Sequence, residues 1–233
     1  MFRLEAVTIA TLATLSIGIP TANAQSGANA EITLRRERPA DVEYMPFAQD
    51  TQGVLAPENA NEARLNRLQP PDQVMDAIGI RPGMVGAEIG AGRGRYVVQL
   101  AVRVGERGKI YAEDIDAGAL SYLEARCARW ALTNVETIVG DVTDPKLPDG
   151  ELDFIFVISA YHHFADPTAL LRNARAALKP DGMLAIGEWL RSTAPEELEA
   201  EMNAAGYRLE RTETFLEANG LYIYVFRIDD TNH

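Results

Sequence analysis

The sequence predicts an α/β fold, a doubly wound and mostly parallel sheet that ends in an antiparallel hairpin. From Pro70 onward, short apolar segments alternate with segments of helical periodicity. Most of the apolar segments are nearly continuous runs, which is typical of parallel strands covered by helices on both faces. The last two apolar segments are joined by a short turn around Asn219 and Gly220, and strands connected so closely pair antiparallel.

The predicted elements follow one another along the chain. The first is a helix over 70–78, with proline in its first turn and Gly79 just past its end. The predicted strands are 84–90, 109–114, 135–140, 152–159, 183–188, 207–216 and 221–228, and the predicted helices between them are 95–105, 117–133, 166–178 and 194–206. Asp166 is the expected N-cap of one helix, and Thr193 with Glu196 is expected to form a capping box for the last. The segment between the third and fourth strands is expected to be a loop.

Residues 1–24 have the plan of a secretory signal peptide. Arg3 precedes an uncharged stretch over 6–19, and an A-x-A cleavage pattern follows at 22–24. Export would make the protein periplasmic or secreted. The uncharged stretch is shorter than the roughly 20 residues of a membrane span, so no stable membrane insertion is expected after cleavage. Glu5 departs from the plan and leaves two alternatives, an uncleaved anchor or a misplaced start codon of a cytoplasmic protein.

The rest of the chain divides into an N-terminal extension, an α/β domain and a short tail, at 25–69, 70–228 and 229–233. Prolines and glycines break the extension into loops, with one short helix expected at 58–68. An apolar group in the extension either covers a pocket as a lid or docks against the domain. Its members are Tyr44, Met45 and Phe47.

The composition narrows the partners of the protein. The 233 residues carry a formal net charge of −12, which argues against nucleic acid, because phosphate binding needs clustered Lys and Arg. A small-molecule substrate is therefore expected, whereas the oligomeric state is left open. Cys127 is the only cysteine, so neither an internal disulfide nor a cysteine-rich metal site is expected. It shares one helical face with Leu120 and Leu123, which predicts a packing residue rather than a nucleophile.

Three glycines follow the first predicted strand on alternate positions. Ligands of open parallel sheets bind where strands end and helices begin, and this is the first such junction. A dinucleotide-binding G-x-G-x-x-G pattern would need a third glycine where the chain has Arg95. The alternative pattern, acid-x-G-x-G-x-G, is filled at all four positions, by Glu88, Gly90, Gly92 and Gly94. With the rest of the domain, this pattern resembles the class I S-adenosylmethionine-dependent methyltransferases, which have a Rossmann-like fold.

The resemblance extends over 70–228. It includes the Lys-Pro-Asp-Gly run at 179–182 before the fifth strand and the terminal antiparallel hairpin. What it implies is a methyltransferase with S-adenosylmethionine as its cofactor. The cofactor-binding residues that it implies are Glu88, Gly90, Ala91, Gly92, Gly94, Asp114, Ile115, Asp141, Val142 and Ser159.

The assignment of the cofactor site depends mostly on acidic residues at the ends of the second and third predicted strands. By the resemblance, Asp114 accepts hydrogen bonds from the two ribose hydroxyls, with Glu113 and Asp116 as alternatives. Ile115 packs beside the adenine, and Asp141 lies toward the adenine amino group. Each acid taken alone fits an ordinary turn or cap residue, because Asp favours loops. Their order, each after its own strand, favours the cofactor site.

Fewer residues of the sequence indicate where the methionine part of the cofactor would bind. Glu88 is expected to balance the methionine amino group or to brace the glycine loop. Arg93 and Arg95 stand where the family often has small or aromatic residues. Each either binds the methionine carboxylate or faces solvent, and the expectation is that they face solvent.

His162 and His163 follow the fourth strand and are the candidates for catalysis. Histidine titrates near neutrality and can take a proton from an acceptor. The alternative is that they hold the loop or contact the cofactor. Adjacent histidines point apart and no third ligand is evident, so no metal site is expected.

Three functions are compatible with these patterns. The first is methyl transfer from S-adenosylmethionine to a small molecule or to an exported macromolecule. The second is a non-catalytic exported binding protein that keeps the fold, since a cofactor made in the cytoplasm would have to be supplied outside it. The third is a nicotinamide-dependent oxidoreductase, against which Arg95 and the terminal hairpin both argue.

Overall fold

A computed structural model describes residues 55–229 of the protein. The expected signal peptide, the apolar group around Tyr44 and the last four residues lie outside the described residues. No helix between residues 55 and 229 combines the length and the apolar character that a membrane crossing requires.

One seven-stranded sheet forms the centre of the domain. Its strands are β1 (Val85–Ile89), β2 (Lys109–Asp114), β3 (Val135–Val139), β4 (Leu152–Ile158), β5 (Leu178–Trp189), β6 (Tyr207–Glu213) and β7 (Leu221–Ile228). Their order is β3-β2-β1-β4-β5-β7-β6. The first five strands are parallel, whereas β7 pairs antiparallel with both β5 and β6. The predicted fold class, a mostly parallel Rossmann-like sheet with a C-terminal antiparallel hairpin, is confirmed.

Six α-helices lie within the described residues. They are α1 (Ala60–Leu68), α2 (Pro71–Ile78), α3 (Val97–Val104), α4 (Ala117–Arg129), α5 (Pro167–Ala174) and α6 (Pro195–Ala204). Helix α2 ends at Gly79, whose φ of 83° is the left-handed C-cap conformation that glycine adopts without strain. Helix α5 begins as predicted, with the Asp166 carboxylate accepting a hydrogen bond from the Ala169 N–H. The segment between β3 and β4 contains no helix, as predicted.

The predicted capping box before α6 is wrong. The N-cap is Ala194, whose side chain cannot accept a hydrogen bond, and Pro195 stands at the first helical position. The Thr193 N–H donates to the Trp189 carbonyl, so Thr193 belongs to the turn that leaves β5. Pro195 fixes the start of α6 because its φ is already helical and it has no N–H to satisfy.

Apolar side chains cover both faces of the sheet. Successive residues of a strand point to opposite faces, so β4 sends Phe154 and Phe156 into one layer and Ile155 and Val157 into the other. The first layer is completed by α2, α3 and α4, and the second by α5 and α6. Cys127 is buried in the first layer, where burial raises the pKa of its thiol to about 11, so the prediction of a packing residue is confirmed.

Residues 55–69 pack onto the same domain. The expected short helix is present as α1. Leu55 is buried in the first apolar layer, and the Gln99 side chain bonds to both its N–H and its carbonyl, at 2.9 and 2.8 Å. Within the described residues, tertiary contacts to the α/β domain therefore begin at Leu55.

Candidate active site

The loop between β1 and α3 has three glycines with positive φ. A Cβ on Gly90 would lie 2.7 Å from the Ala160 Cβ, and one on Gly94 would lie 2.2 Å from the Leu123 Cδ1. Both positions are therefore packed against neighbours. A Cβ on Gly92 would meet no heavy atom of the described residues within 4 Å. Gly92 thus exposes bare backbone at the carboxyl edge of the sheet, where a ligand can approach it closely.

Asp114 lies directly beside this open backbone. One carboxylate oxygen, Oδ2, accepts a hydrogen bond from the Gly92 N–H at 2.7 Å, and the other accepts from the Asp116 N–H at 2.9 Å. The Asp116 carboxylate is engaged elsewhere, since it caps α4 by accepting from the N–H groups of Gly118 and Ala119. Of these two acids, Asp114 is the one whose carboxylate accepts a hydrogen bond from the glycine loop.

Glu113, the other alternative, is buried beneath the loop. The Gly90 N–H hydrogen bonds to its carboxyl group, and the Ala91 N–H donates to its main-chain carbonyl at 2.9 Å. Burial, followed by the nearby charge of Asp114, raises the pKa of Glu113 to about 8. A Cβ on Gly140 would fall 1.9 Å from Glu113 Oε1, so the close packing of this carboxyl group requires glycine at that position. Glu113 supports the loop from the interior.

Glu88 has a buried carboxyl group with an unsatisfied oxygen. The Val97 N–H hydrogen bonds to this group, whereas Oε2 has no hydrogen-bond partner within the described part of the chain. Burial raises the pKa of Glu88 to about 8, although the positive charge of Arg95 opposes the shift. A buried carboxyl oxygen without a partner is costly, and a cationic donor would satisfy it.

The residues expected to contact adenine lie after β2 and β3. Ile115 exposes half of its surface, which is unusual for a large apolar residue and leaves it available for packing. Val142 is half-buried. Asp141 lies on the surface, where its Oδ2 is 2.9 Å from Lys146 Nζ, so in this structure its carboxylate is paired with a lysine.

Ser159 directly follows β4 and contacts a residue that sequence reasoning missed. Its Oγ accepts a hydrogen bond from Gln69 Nε2 at 2.7 Å. The Gln69 Oε1 in turn accepts from Arg95 Nη2 at 2.5 Å. Gln69 therefore connects the tip of β4 to the glycine loop. No periodicity or motif marks a glutamine that precedes two prolines, so the sequence offered no signal for it.

The expectation that Arg95 faces solvent is wrong. Its guanidinium donates to Gln69 and to Asn66, and it lies 4.5 Å above the ring of Tyr96. Asn66 lies in α1 and Gln69 directly follows it, and this part of the chain packs against the loop only in the folded protein. Arg93, by contrast, is exposed, with its guanidinium 5.0 Å from the centroid of the Tyr122 ring.

The structure places both candidate histidines in a short 3₁₀ turn, Tyr161–His163, directly after β4. Their ring centroids are 4.0 Å apart. His162 Nδ1 lies 2.9 and 3.0 Å from the two carboxylate oxygens of Glu188, the penultimate residue of β5. Sequence reasoning missed Glu188. The available signal was its position, an acid at the carboxyl end of an apolar parallel strand, as for Glu88 and Asp114.

The raised pKa values of Glu88 and Glu113 predict how stability depends on pH. Each has a folded-state pKa of about 8 and an ordinary value of 4.5, so between these limits the folded chain binds more protons than the unfolded chain. The free energy of unfolding is therefore expected to fall as the pH rises from about 5 to about 8. Urea unfolding at several pH values measures this. Glu113→Gln should flatten the slope and the exposed Glu106→Gln should not, and an equal slope in all three proteins would contradict the prediction.

Comparison with known proteins agrees with this geometry. The methyltransferase domain family matches residues 87–186. Nocamycin O-methyltransferase of Saccharothrix syringae is 29% identical over 114 residues, which are 49% of this chain and 41% of that protein. Demethylmenaquinone methyltransferase of Staphylococcus aureus is 25% identical over 123 residues, 53% of this chain and 50% of that protein. The chain thus spans half or less of the length of these two curated relatives.

A solved structure matches over nearly its whole length. It is an S-adenosylmethionine-dependent methyltransferase from Aquifex aeolicus, with a TM-score of 0.64 and 27% identity, and the match covers 72% of this chain and 97% of that one. Sheet order, glycine loop and family match agree with one another. Residues 87–186 of this chain thus match the methyltransferase domain family, and its α/β domain has the fold of the S-adenosylmethionine-dependent methyltransferases.

Proposed function

We propose that this protein binds S-adenosylmethionine at the glycine loop and transfers its methyl group to a small-molecule acceptor. One observation carries the proposal. The open backbone of Gly92 has the carboxylate of Asp114 beside it, and the same β1–α3 junction holds the unsatisfied buried oxygen of Glu88. These groups provide bare backbone, an acceptor for hydroxyls and an acceptor for a cation at one edge of the sheet.

The residues fit the three parts of the cofactor. The ammonium group of its methionine part would satisfy Glu88 Oε2. The two ribose hydroxyls would donate to Asp114, a carboxylate that can accept both hydrogen bonds. The adenine would pack on the exposed side chain of Ile115, next to Val142, with Asp141 near its amino group. Gly90, Ala91 and Gly94 would shape the loop, and Ser159 would close the site at β4.

When bound, S-adenosylmethionine supplies a methyl group that is already activated by a sulfonium sulfur. The chain therefore has to hold the donor, align the acceptor and exclude water. Arg95 and Gln69 link the glycine loop to Ser159 at the end of β4 by hydrogen bonds, and this link would brace the loop around a bound donor. A group that removes a proton is needed only for acceptors that lose one on methylation.

The acceptor and the compartment are parts of the same proposal. The net charge of −12 supports a small molecule over nucleic acid. The two relatives described above carry names for O-methyl transfer and for methylation of demethylmenaquinone, which supports an organic acceptor of low mass. The signal-peptide plan of residues 1–24 supports a periplasmic or secreted protein.

Incubation of the purified protein with isotopically labelled S-adenosylmethionine and cell extract tests the activity. Mass spectrometry should detect the label in a compound of low mass, and the Gly92→Val variant should abolish the labelling. Calorimetry should show binding of S-adenosylmethionine alone. Binding without any labelled product would overturn methyl transfer and support the non-catalytic binding protein instead.

Asp114→Ala is expected to weaken the binding of S-adenosylmethionine by about 30-fold or more. It removes charge-assisted hydrogen bonds to the ribose, each of which contributes about 1.5–3 kcal/mol. Asp116→Ala is the matched control, because it removes a carboxylate two residues away that only caps α4. The control should lower stability by about 0.5–2 kcal/mol and leave affinity intact. Calorimetric titration decides, and equal affinities of the two variants would contradict the assignment.

A further inference from the structure

We propose that Glu188 positions His162 as a general base, and that the acceptor carries a hydroxyl group whose proton His162 removes during methyl transfer. This inference rests on the proposed methyl transfer. It adds a substrate class, acceptors with a hydroxyl group, and one positioning residue, Glu188. It stands on the hydrogen bonds of Glu188, on the place of the histidine turn beside the glycine loop, and on the exposure of the His162 ring.

The hydrogen bonds of Glu188 fix the tautomer of His162. The Glu188 carboxylate is almost completely buried, and each of its oxygens accepts a main-chain N–H, Oε1 from Trp189 at 2.6 Å and Oε2 from His162 at 3.3 Å. In its ionised form a carboxyl group only accepts hydrogen bonds. We therefore assign the ring hydrogen of His162 to Nδ1, which lies 2.9 and 3.0 Å from these oxygens. In the neutral ring, Nε2 then has a free lone pair.

The histidine turn lies against the glycine loop. The nearest atoms to a Cβ built on Gly90 belong to Ala160 and Phe164, the residues on either side of the turn. The register of β4 and β5 pairs Ile158 with Gly187, so Glu188 and the turn stand at the same carboxyl edge of the sheet as the cofactor site. The His162 side chain is 24% exposed, which leaves its ring within reach of a bound acceptor.

His162 Nε2 takes the proton of the acceptor hydroxyl, and the acceptor oxygen forms the new bond to the methyl carbon with its electron pair. The bond from that carbon to sulfur breaks, and its electrons remain on sulfur. The products are a methyl ether, the thioether S-adenosylhomocysteine and an imidazolium ion on His162. The carboxylate of Glu188 offsets the imidazolium charge, as a buried acid does for a catalytic histidine.

Two neighbours of His162 make contacts that leave the pair of His162 Nδ1 and Glu188 intact. The Tyr161 hydroxyl donates to Glu201 on α6, so that acid is engaged by a different side chain of the turn. The ring of His163 lies beside that of His162 rather than between it and Glu188. A purely structural role would need only a contact that holds the ends of β4 and β5 together. It would not require Nε2 to lie unprotonated beside the methyl donor.

Nitrogen NMR of the full-length chain, labelled with ¹⁵N in histidine, tests the inference without the acceptor. It reports which ring nitrogen of His162 carries the proton and whether Nε2 lies near the bound methyl donor. At about pH 9, where histidines are ordinarily neutral, the proton of His162 should reside on Nδ1. Saturation with S-adenosylmethionine should shift the Nε2 resonance of His162 more than saturation with S-adenosylhomocysteine, because only the former carries the sulfonium charge. His162→Gln assigns the resonances.

Glu188→Gln should move the proton of His162 partly or fully to Nε2, because one of the two accepting oxygens becomes an NH₂ group. Glu201→Gln is the matched control and should keep the wild-type tautomer. A wild-type ring protonated on Nε2 overturns the inference whether or not either variant folds. So does an Nε2 resonance that S-adenosylmethionine leaves unmoved while calorimetry shows it bound. Absence of binding in calorimetry would instead overturn the proposed function, and this inference with it.

Discussion

Gly92→Val should abolish binding of S-adenosylmethionine while the protein remains folded. The Cβ position of Gly92 is open in the structure, so the first side-chain atom of a valine there would meet no described atom within 4 Å. Its side chain would instead occupy the space where the ligand meets bare backbone. We expect affinity to fall by at least about 100-fold, since the loss of close approach removes several contacts at once. Calorimetric titration measures the affinity, and circular dichroism verifies the fold.

Gly150→Val is the control that distinguishes a blocked ligand site from the effect of backbone strain. Gly150 has a positive φ of 68°, comparable to 54° at Gly92, and its Cβ position is also open. It precedes β4, at the opposite edge of the sheet from the glycine loop. Both valines should cost at least about 1–2 kcal/mol of stability, because L-residues are strained in the left-handed region. Only Gly92→Val should lose the ligand. Equal affinity of both variants would place the cofactor elsewhere.

Arg126→Met should lower the free energy of unfolding by about 3–5 kcal/mol. Arg126 is almost completely buried in α4, with Nη2 2.6 Å from Glu62 and Nε 3.6 Å from Glu58, both of which are also buried. Removing the guanidinium leaves two acids in a low-dielectric interior with less positive charge to offset them. Arg129 still pairs with Glu58 in the variant, so Glu62 bears most of the loss. Urea unfolding measures the change.

Arg103→Met is the control for the loss of an arginine. Arg103 pairs with Asp72 and Asp76 on the surface, and its side chain is 22% exposed. Exposed pairs of this kind contribute about 0–1 kcal/mol, because water already solvates both partners. A loss at Arg126 no larger than that at Arg103 would contradict the structural role assigned to the buried cluster.

The buried cluster also connects the N-terminal segment to the cofactor loop. Glu58 and Glu62 come from the segment that carries α1, and Arg126 Nη1 donates to the Arg93 carbonyl within the glycine loop at 3.3 Å. The same segment supplies Gln69, which reaches Ser159. Loss of Arg126 should therefore weaken cofactor binding as well as stability, because the loop loses one of its supports.

Local sequence patterns explain why most of the observed helices and strands agree with the predicted ones. Strand β2 coincides with the predicted 109–114, because an apolar run between a glycine turn and an Asp cap allows few other solutions. The helix before β1 ends at Gly79 for a similarly local reason, the left-handed C-cap. The capping box at Thr193 failed because a proline two residues later set the helix start more strongly than a side-chain cap.

Contacts between distant segments explain what the sequence left open. The hairpin was expected, but its insertion with β7 next to β5 and β6 at the edge follows from packing, since Met183–Trp189 pairs with Leu221–Arg227. Arg95 looked like a solvent-facing charge because its partners, Asn66 and Gln69, come from a segment without a motif. The pairing of Glu188 with His162 depends on the register of β4 and β5.

By itself, the sequence determined the order of strands and helices, the bare-backbone loop and the acids that follow β1 and β2. These features arise from periodicity, turn residues and spacing, which act within a few residues. Only the tertiary structure decided that Asp114 rather than Asp116 touches the loop, that Glu88 keeps an unsatisfied oxygen, and that Glu188 holds His162. The physical reason is that hydrogen bonding and desolvation of a buried polar group depend on neighbours brought together by the sheet. Which residues become neighbours cannot be derived from their order along the chain alone.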